Sequence, residues 1–483
     1  LRVCLISPPS PFELDERVFC ALGILKIASV LEREGHQVDH IDLSGVENFE
    51  EAVRDYSGDA KVFGITSTTP QFPSAVRVTN VLREVPGRKV ILGGPHPTLL
   101  HSAYKREKHR ADEPFLRMLK QFDVVVAGDG EDAIFSAISP FSRGVIDADD
   151  PKSPMWQTSQ KFTDSPWPAR HLVDLDTYHY SIDGARALHL ISQLGCPMAC
   201  FFCAGRNSSM LRRIRNRPPE NVISEILYLH KTYGYTGFNF FDDELNINKS
   251  MVDLMRKLRQ ESDRLGVEWK LRGFVKAELF TEEQAKVMYD AGFRWILTGF
   301  ESGSERILVN IHKNATRADN TRCMELAHSH GLKVKALMSI GHAGESYDTI
   351  NETYEWLLET KPDELDVTVI TPYPGSPYWD DAEEVGSGVW KFVSAKTGDA
   401  LYMNNVDFTE TADYYKGIPG EYVSHVWTDH ISAEELVVQR DWLEKESKSK
   451  LGIKMISPVP AMHFEHSMGM SPQILRSSIT EGV

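Results

Sequence analysis

The chain has 483 residues, 41% apolar and 25% charged, the balance of an ordinary globular protein long enough for about three domains. Its net charge of −16 argues against a nucleic-acid partner and favours a small-molecule or peptide substrate, although Arg206, Arg212, Arg213, Arg215 and Arg217 form one local basic cluster. No apolar run reaches the roughly 18 to 20 residues of a membrane span. The run Val3 to Ile6 is too short for a signal-peptide core and meets Pro8-Pro9 at once, so the expected location is the cytoplasm.

Residues 1–145 alternate strand and helix signals. Strands are expected at Val3 to Ser7, Val38 to Leu43, Val62 to Thr66, Val90 to Leu92 and Val124 to Val126. A helix over Leu22 to Arg33 stops at Gly35, and another falls near Ser74 to Arg83. This alternation predicts a Rossmann-like, doubly wound parallel sheet, whose ligands sit beyond the carboxyl ends of the strands. Residues 146–185 lack a period, contain Pro151, Pro154, Pro166 and Pro168, and read as a linker. Residues 186–380 resume the alternation, with strands at Ala187 to Ser192, Gly237 to Phe241, Trp269 to Phe274, Trp295 to Gly299, Val334 to Ile340 and Leu365 to Ile370. One intervening helix opens with Thr281-Glu282-Glu283-Gln284, a capping-box signature. Six such units predict a partial TIM-like (β/α)6 barrel with its chemistry at the carboxyl ends of its strands. Residues 381–483 are mixed and are expected to cap the barrel mouth, with a helix near Ala433 to Ser447. Two unusual stretches there, Tyr414 to Tyr422 and Met462 to Met470, are candidates for substrate or cofactor contacts or for ordinary packing.

Six cysteines in a chain of this length do not make a disulfide scaffold. Cys4, Cys20 and Cys323 sit singly in apolar patterns and read as core. Cys196, Cys200 and Cys203 share one loop after the first barrel strand. Thiolates are the usual ligands of a [4Fe–4S] cluster, and three on one tight loop can hold three irons and leave the fourth open. A zinc site, which needs a fourth ligand, and three unconnected core cysteines are the alternatives.

The C-x3-C-x2-C spacing, with Phe202 before the last cysteine, resembles the radical S-adenosylmethionine (SAM) superfamily. The resemblance implies SAM chelated on the open iron and cleaved to a 5′-deoxyadenosyl radical. It extends to Phe240-Phe241-Asp242-Asp243-Glu244, where the superfamily contacts the SAM amino group. It extends also to Gly299-Phe300-Glu301-Ser302, whose Glu meets SAM, and to Lys276, where a cation pairs with the SAM carboxylate. Ile340 to Glu345 resembles the fifth-strand GxPGE segment, from which His342 and Ala343 depart. Thr371 to Pro377 resembles the sixth-strand ending, and Tyr373 is expected near substrate. An electron donor such as flavodoxin or ferredoxin is implied.

A parallel-sheet domain ahead of such a barrel resembles the cobalamin-binding subclass. The resemblance rests on three strand-end segments: Ser67, Thr68, Thr69 and Pro70; Gly93, Gly94, Pro95, His96 and Pro97; and Gly128, Asp129, Gly130 and Glu131. Small residues there permit close approach of a flat corrin. The bland alternative is a Rossmann-like domain without a cofactor. The D-x-H-x-x-G pattern of histidine-ligated cobalamin is absent, so no histidine is expected on cobalt. His96 reads as a turn or surface histidine. The commonest activity in this subclass is transfer of a methyl group from methylcobalamin to an unactivated carbon. Radical ring formation, contraction or oxidation without methyl transfer is the first alternative, and a non-catalytic cobalamin or SAM sensor is the second.

Overall fold

A computed structural model describes residues 1–10, 17–18, 20–411 and 423–454. Its first half is a parallel sheet of β1 Arg2–Ser7, β2 Gln37–Asp42, β3 Val62–Thr66, β4 Lys89–Gly93, β5 Val124–Gly128 and β6 Gly144–Ala148, in the order β2-β1-β3-β4-β5-β6. The central strands β1, β3, β4 and β5 are short, largely apolar runs because helices cover both faces, and Val90, Ile91 and Leu92 are all buried. Those helices are α1 Leu22–Arg33, α2 Phe49–Tyr56, α3 Phe72–Leu82, α4 Pro95–Lys105, α5 Asp112–Gln121 and α6 Gly130–Ala137. Helix α1 turns Leu22, Leu25, Ala28 and Leu31 inward and ends before Gly35, at φ +80°. Strand order reverses between β1 and β3, the kind of crevice where such sheets bind ligands.

Strand β6 was not expected. Gly144–Ala148 pairs in parallel with β5, Val125 opposite Val145, and so takes the first residues assigned to the linker. It is an edge strand and mostly half-buried, so it lacks the apolar run that marks its neighbours. The segment after it wraps the first sheet: Ala169 N–H donates to Leu25 O (3.0 Å) and Lys26 Nζ to Pro166 O (2.8 Å).

The second sheet contains β7 Ser181–Ile182, β8 Ala185–Leu190, β11 Gly237–Phe240, β12 Lys270–Phe274, β13 Phe293–Glu301, β14 Lys333–Ile340 and β15 Glu364–Val369; β9 Gln193–Leu194 and β10 Arg215–Asn216 form a separate antiparallel pair. From β8 to β15 the strands are parallel neighbours in chain order, which makes the open half-barrel that the six expected strands imply. Strand β7 adds an antiparallel edge. The capping box forms both bonds, Gln284 N to Thr281 Oγ1 (3.3 Å) and Thr281 N to Gln284 Oε1 (3.1 Å). One apolar core runs from Leu5 and Leu25 through Tyr178 and Leu188 to Phe238, Trp269 and Trp356. The two sheets therefore share a core.

After the barrel come β16 Glu383–Gly386, β17 Val389–Val393, β18 Ala400–Asn404 and β19 Val426–Trp427, an antiparallel sheet. The helix Ala433–Leu451 then packs on β15. Tyr414 to Tyr422 and Met462 to Met470 lie outside the described residues. No helix among the described residues is long and apolar enough to cross a membrane.

Candidate active site

The loop that follows β8 is fixed by its backbone. The pairing of β9 with β10 closes its base. Gly195 sits at φ +86°, and a Cβ there would lie 2.2 Å from Arg213 O, so only glycine fits. Cys196 N–H donates to Leu211 O (2.9 Å), Phe201 N–H to Ile311 O (2.9 Å) and Cys203 N–H to Cys200 O (3.3 Å). Cys196 is half-buried, Cys200 buried and Cys203 exposed, and none is in a disulfide. Burial pushes the Cys196 thiol up to about 11, with the neighbouring Cys200 adding to the shift. Cys200 is also raised, by burial first, against the nearby cations of Lys313 and Lys276. The thiols are therefore protonated when empty, and metal must displace those protons. Among the described residues no three His, Cys, Asp or Glu side chains converge on a single ion. A cubane instead spreads its thiolates over separate irons. Three thiols on one backbone-anchored loop, close enough to sense one another's charge, fit that group.

The segment after β11 braces this loop. Both oxygens of buried Asp242 accept from Ser192, one from its amide (2.7 Å) and one from its hydroxyl. Asp243 accepts the Gly195 amide. These two acids, expected beside SAM, fasten the cysteine loop to the barrel. Glu244 is half-buried, and its carboxyl is pushed up to about 7 by burial, with Lys313 and Lys276 opposing.

Across from the cysteines lies a compact set of charges. Lys276 is buried, with Nζ 2.7 Å from Glu278 Oε1. Asn246 clamps its backbone, accepting from Lys276 N (2.8 Å) and donating to Lys276 O (3.0 Å). Glu301 stands at φ +66° in a bulge between β13 and β14, a left-handed conformation uncommon for a non-glycine residue. Gly299 leaves the room it needs, since a Cβ there would lie 2.6 Å from Glu301 Oε1. The carboxylate meets Lys313 Nζ (3.4 Å) and Ser339 Oγ (2.6 Å). Ser302 turns away and bonds Thr353 Oγ1 (2.9 Å). Phe202 packs on Ile307, Leu308 and Ile311. Tyr373 stacks edge-on to Phe408 at 5.6 Å.

The structure thus gathers Cys200, Glu244, Lys276, Glu278, Glu301 and Lys313. Lys313, Glu278 and Ser339 were missed from sequence. Lys313 lies in a loop between His312 and Asn314, both at positive φ, and no motif marks it. Burial disfavours its charge, but Glu301 and the other nearby acids outweigh this and raise its pKa.

The carboxyl ends of the first sheet enclose a second space, a cavity of ≈ 320 Å³. Leu5, Ile65, Ile91 and Val126 line it, with Gly93, Gly94, Gly128, Asp129, Gly130 and Glu131 at its edge. Ile191, Leu194 and Met210 close it from the barrel side. Gly94 (φ +102°) and Gly128 (φ +103°) press on backbone: a Cβ would come within 2.8 Å of Ser67 N and 2.4 Å of Ala148 C. Ser67, Thr68, Thr69, His96 and Pro97 do not line this cavity. Nor is His96 a turn or surface histidine. It is buried in the first turn of α4, stacks on Phe72 at 4.1 Å and bonds Thr69 Oγ1 at 3.2 Å, and burial pushes its pKa down to about 3. The Gly-Pro pair that suggested a turn begins a helix, with Pro95 in its first turn.

The two strand-end faces meet directly. Asp129, after β5, forms a buried ion pair with Arg215 of β10. Asp149, after β6, accepts from Ser208 Oγ (2.9 Å) and Met210 N (2.6 Å), and Ser102 of α4 donates to Asn207 O (2.6 Å). From segment 146–185, Phe162 contributes to the cavity wall. Phe408 touches both halves, Tyr373 on one side and His96 on the other.

Comparison with known proteins assigns each half. Residues 190–357 match the radical SAM superfamily, and residues 17–137 match the B12 binding domain. Over 403 residues the chain is 27% identical to an uncharacterized methyltransferase of Pyrococcus horikoshii, covering 79% of this chain and 83% of that one. It is 25% identical over 351 residues to the anaerobic magnesium-protoporphyrin IX monomethyl ester cyclase of Rubrivivax gelatinosus, covering 68% of this chain and 59% of the cyclase. In fold it is similar to TsrM of Kitasatospora setae, a radical SAM methyltransferase solved with cobalamin and a [4Fe–4S] cluster. The TM-score is 0.60 at 16% identity, covering 82% of this chain and 81% of TsrM. One match falls on the cysteine-bearing barrel and the other on the sheet whose strand ends face it, so the chain carries a radical SAM domain and a B12-binding domain.

Proposed function

We propose that this enzyme methylates an unactivated carbon of a small-molecule or peptide substrate held between the two strand-end faces. The observation that carries the reading is their direct apposition, with Ile191 and Leu194 of the barrel closing a cavity built on the first sheet. When bound, SAM at the cluster supplies a carbon radical and cobalamin supplies a methyl group. Cys196, Cys200 and Cys203 hold the cluster, and the bracing acids Asp242 and Asp243 keep their loop in place. Glu301 and Glu244 would hold the cationic groups of SAM, while Lys276 and Lys313 balance the carboxylates around them and would hold the SAM carboxylate. Phe202 shapes the wall, Ser302 braces the turn after β13 through Thr353, and Tyr373 lies on the substrate side.

Gly93, Gly94, Gly128 and Gly130, beside the apolar cavity, would hold cobalamin by leaving room for its close approach. No histidine lines that cavity. His40 is half-buried and His96 buried, and each is bonded elsewhere, to Ser7 Oγ (3.0 Å) and Thr69 Oγ1 (3.2 Å), which supports a cobalt without a protein ligand. Residues 1–145, with β6, form the cobalamin part, 186–380 the radical SAM part, and 381–483 the cap. Closure matters because a primary carbon radical abstracts hydrogen from most C–H bonds it meets. The electron comes from a donor such as flavodoxin or ferredoxin.

The cyclase relative favours one second reading, radical ring formation without methyl transfer. Anaerobic turnover with isotope-labelled SAM and candidate substrates separates the two. Methyl transfer gives 5′-deoxyadenosine and a product carrying one labelled methyl; 5′-deoxyadenosine with an unmethylated product supports the ring-forming reading and contradicts the first.

A further inference from the structure

The fifth-strand turn carries a buried histidine, and its geometry gives that histidine a task. Gly341 (φ +90°) and Gly344 (φ +79°) form the turn, and Glu345 locks it by accepting from Gly341 N (3.0 Å) and Thr349 Oγ1 (2.6 Å). His342 is fully buried inside it. Its Nε2 lies 2.8 Å from Ser339 Oγ, and Ser339 Oγ lies 2.6 Å from Glu301 Oε2. A serine hydroxyl has one proton and an ionised carboxylate has none. Ser339 must therefore donate to Glu301 and accept from His342, which places the imidazole proton on Nε2. His342 Nδ1 is left as an acceptor facing the hydroxyl of buried Tyr378, at a long 3.5 Å. The ring is wedged edge-on against Phe202, 5.5 Å away on the cysteine loop. A one-way chain of donors thus runs from Tyr378 through His342 and Ser339 to Glu301, whose other oxygen meets Lys313.

We propose that His342 is a positioning residue: through Ser339 it holds Glu301, and with it the bulge at φ +66°, in the orientation that receives SAM. The inference rests on the assignment of Glu301 to SAM made above. Without the histidine donor the Ser339 hydroxyl is free to rotate, and the carboxylate keeps only the 3.4 Å contact with Lys313 as a fixed partner.

The test is SAM affinity of the full-length, anaerobically reconstituted protein, measured by equilibrium dialysis with labelled SAM. His342→Phe keeps a ring but removes the donor, and is expected to weaken SAM binding about tenfold, the size of one lost buried hydrogen bond. His342→Gln can donate from a similar place and should restore most of the affinity. Iron content and cobalamin retention should match wild type in both. Ser339→Ala breaks the same chain, so it should weaken binding alike, and the double variant should be no weaker than either single one. Wild-type affinity in His342→Phe, beside a weakened Glu301→Gln, overturns the positioning role, as does full additivity in the double variant. If His342→Phe does not hold its cluster, Ser339→Ala decides alone: unchanged affinity there overturns the proposal. Unchanged affinity in Glu301→Gln instead overturns the underlying assignment of Glu301.

Discussion

The two strand-end sites of this molecule are built in opposite ways. The barrel site is made of side chains: three thiols on a loop anchored by its backbone, three carboxylates and two buried lysines. The site on the first sheet is made largely of room, a cavity of ≈ 320 Å³ bounded by apolar residues and by glycines whose missing Cβ atoms let strands and loops close in. A site of the first kind should fail when one group is removed. A site of the second kind should fail when something is added.

The largest expected effect is on the side-chain site. Replacing Cys196, Cys200 and Cys203 together by Ala should abolish the roughly four irons of the reconstituted protein and all SAM cleavage. Iron content equal to wild type would mean that the loop is not the cluster site.

Addition should break the other site selectively. Gly93 lines the cavity, and a Cβ there meets nothing within 4 Å. Gly93→Leu is therefore expected to fill the cavity without straining the strand. Cobalamin retained on gel filtration should fall at least tenfold while iron content stays at the wild-type level. Retention equal to wild type would show that the cavity does not receive cobalamin. In the wild-type protein, electron paramagnetic resonance of the cob(II)alamin form should lack splitting from an axial nitrogen; its appearance would contradict the histidine-free site.

A smaller effect concerns the scaffold beneath both. Glu225 is fully buried between Arg170 (2.7 Å) and Arg217 (2.7 Å), which also bond His189 O and Ile191 O at the end of β8. Burial opposes its ionisation, but the two guanidiniums win and hold its pKa below the usual range. Glu225→Gln leaves two buried cations unpaired and should cost about 3–5 kcal/mol in denaturant unfolding of the metal-free protein at pH 7. A carboxylate of lowered pKa contributes its full stability above the unfolded value near 4.3 and loses it as pH falls through the folded value. The gap between wild type and variant should therefore shrink below about pH 4. A gap that stays constant to lower pH would show that Glu225 is not held ionised by the pair.

What the sequence made legible follows the same division. Fixed residue types at fixed spacing are readable as segments: the cysteine triad, the acids after β11, the Glu301 segment and the central strands of the first sheet, each a buried apolar run. Contacts that depend on distant segments meeting are not. Lys313 joins Glu301 from a loop without a motif, and the Arg170–Glu225–Arg217 triad links the wrapping segment to the barrel across 55 positions of chain. Asp242 was placed by its motif but not by its bonds, because Ser192, its actual partner, is an unremarkable strand-end serine. Edge strand β6 was lost because half-exposed strands carry no apolar run. The small cap strands β16 to β19 escaped notice for the same reason: they are short, β16 is exposed and β17 mostly half-buried.

The central claim is that cluster and cobalamin serve one cavity between opposed strand ends. Pulsed electron paramagnetic resonance of the protein holding both a reduced cluster and cob(II)alamin tests it most directly. A shared cavity predicts strong magnetic coupling between the two centres, seen as split or broadened signals that neither centre shows alone. Two spectra that simply add, with no interaction between them, would place the cofactors in separate sites and contradict the account.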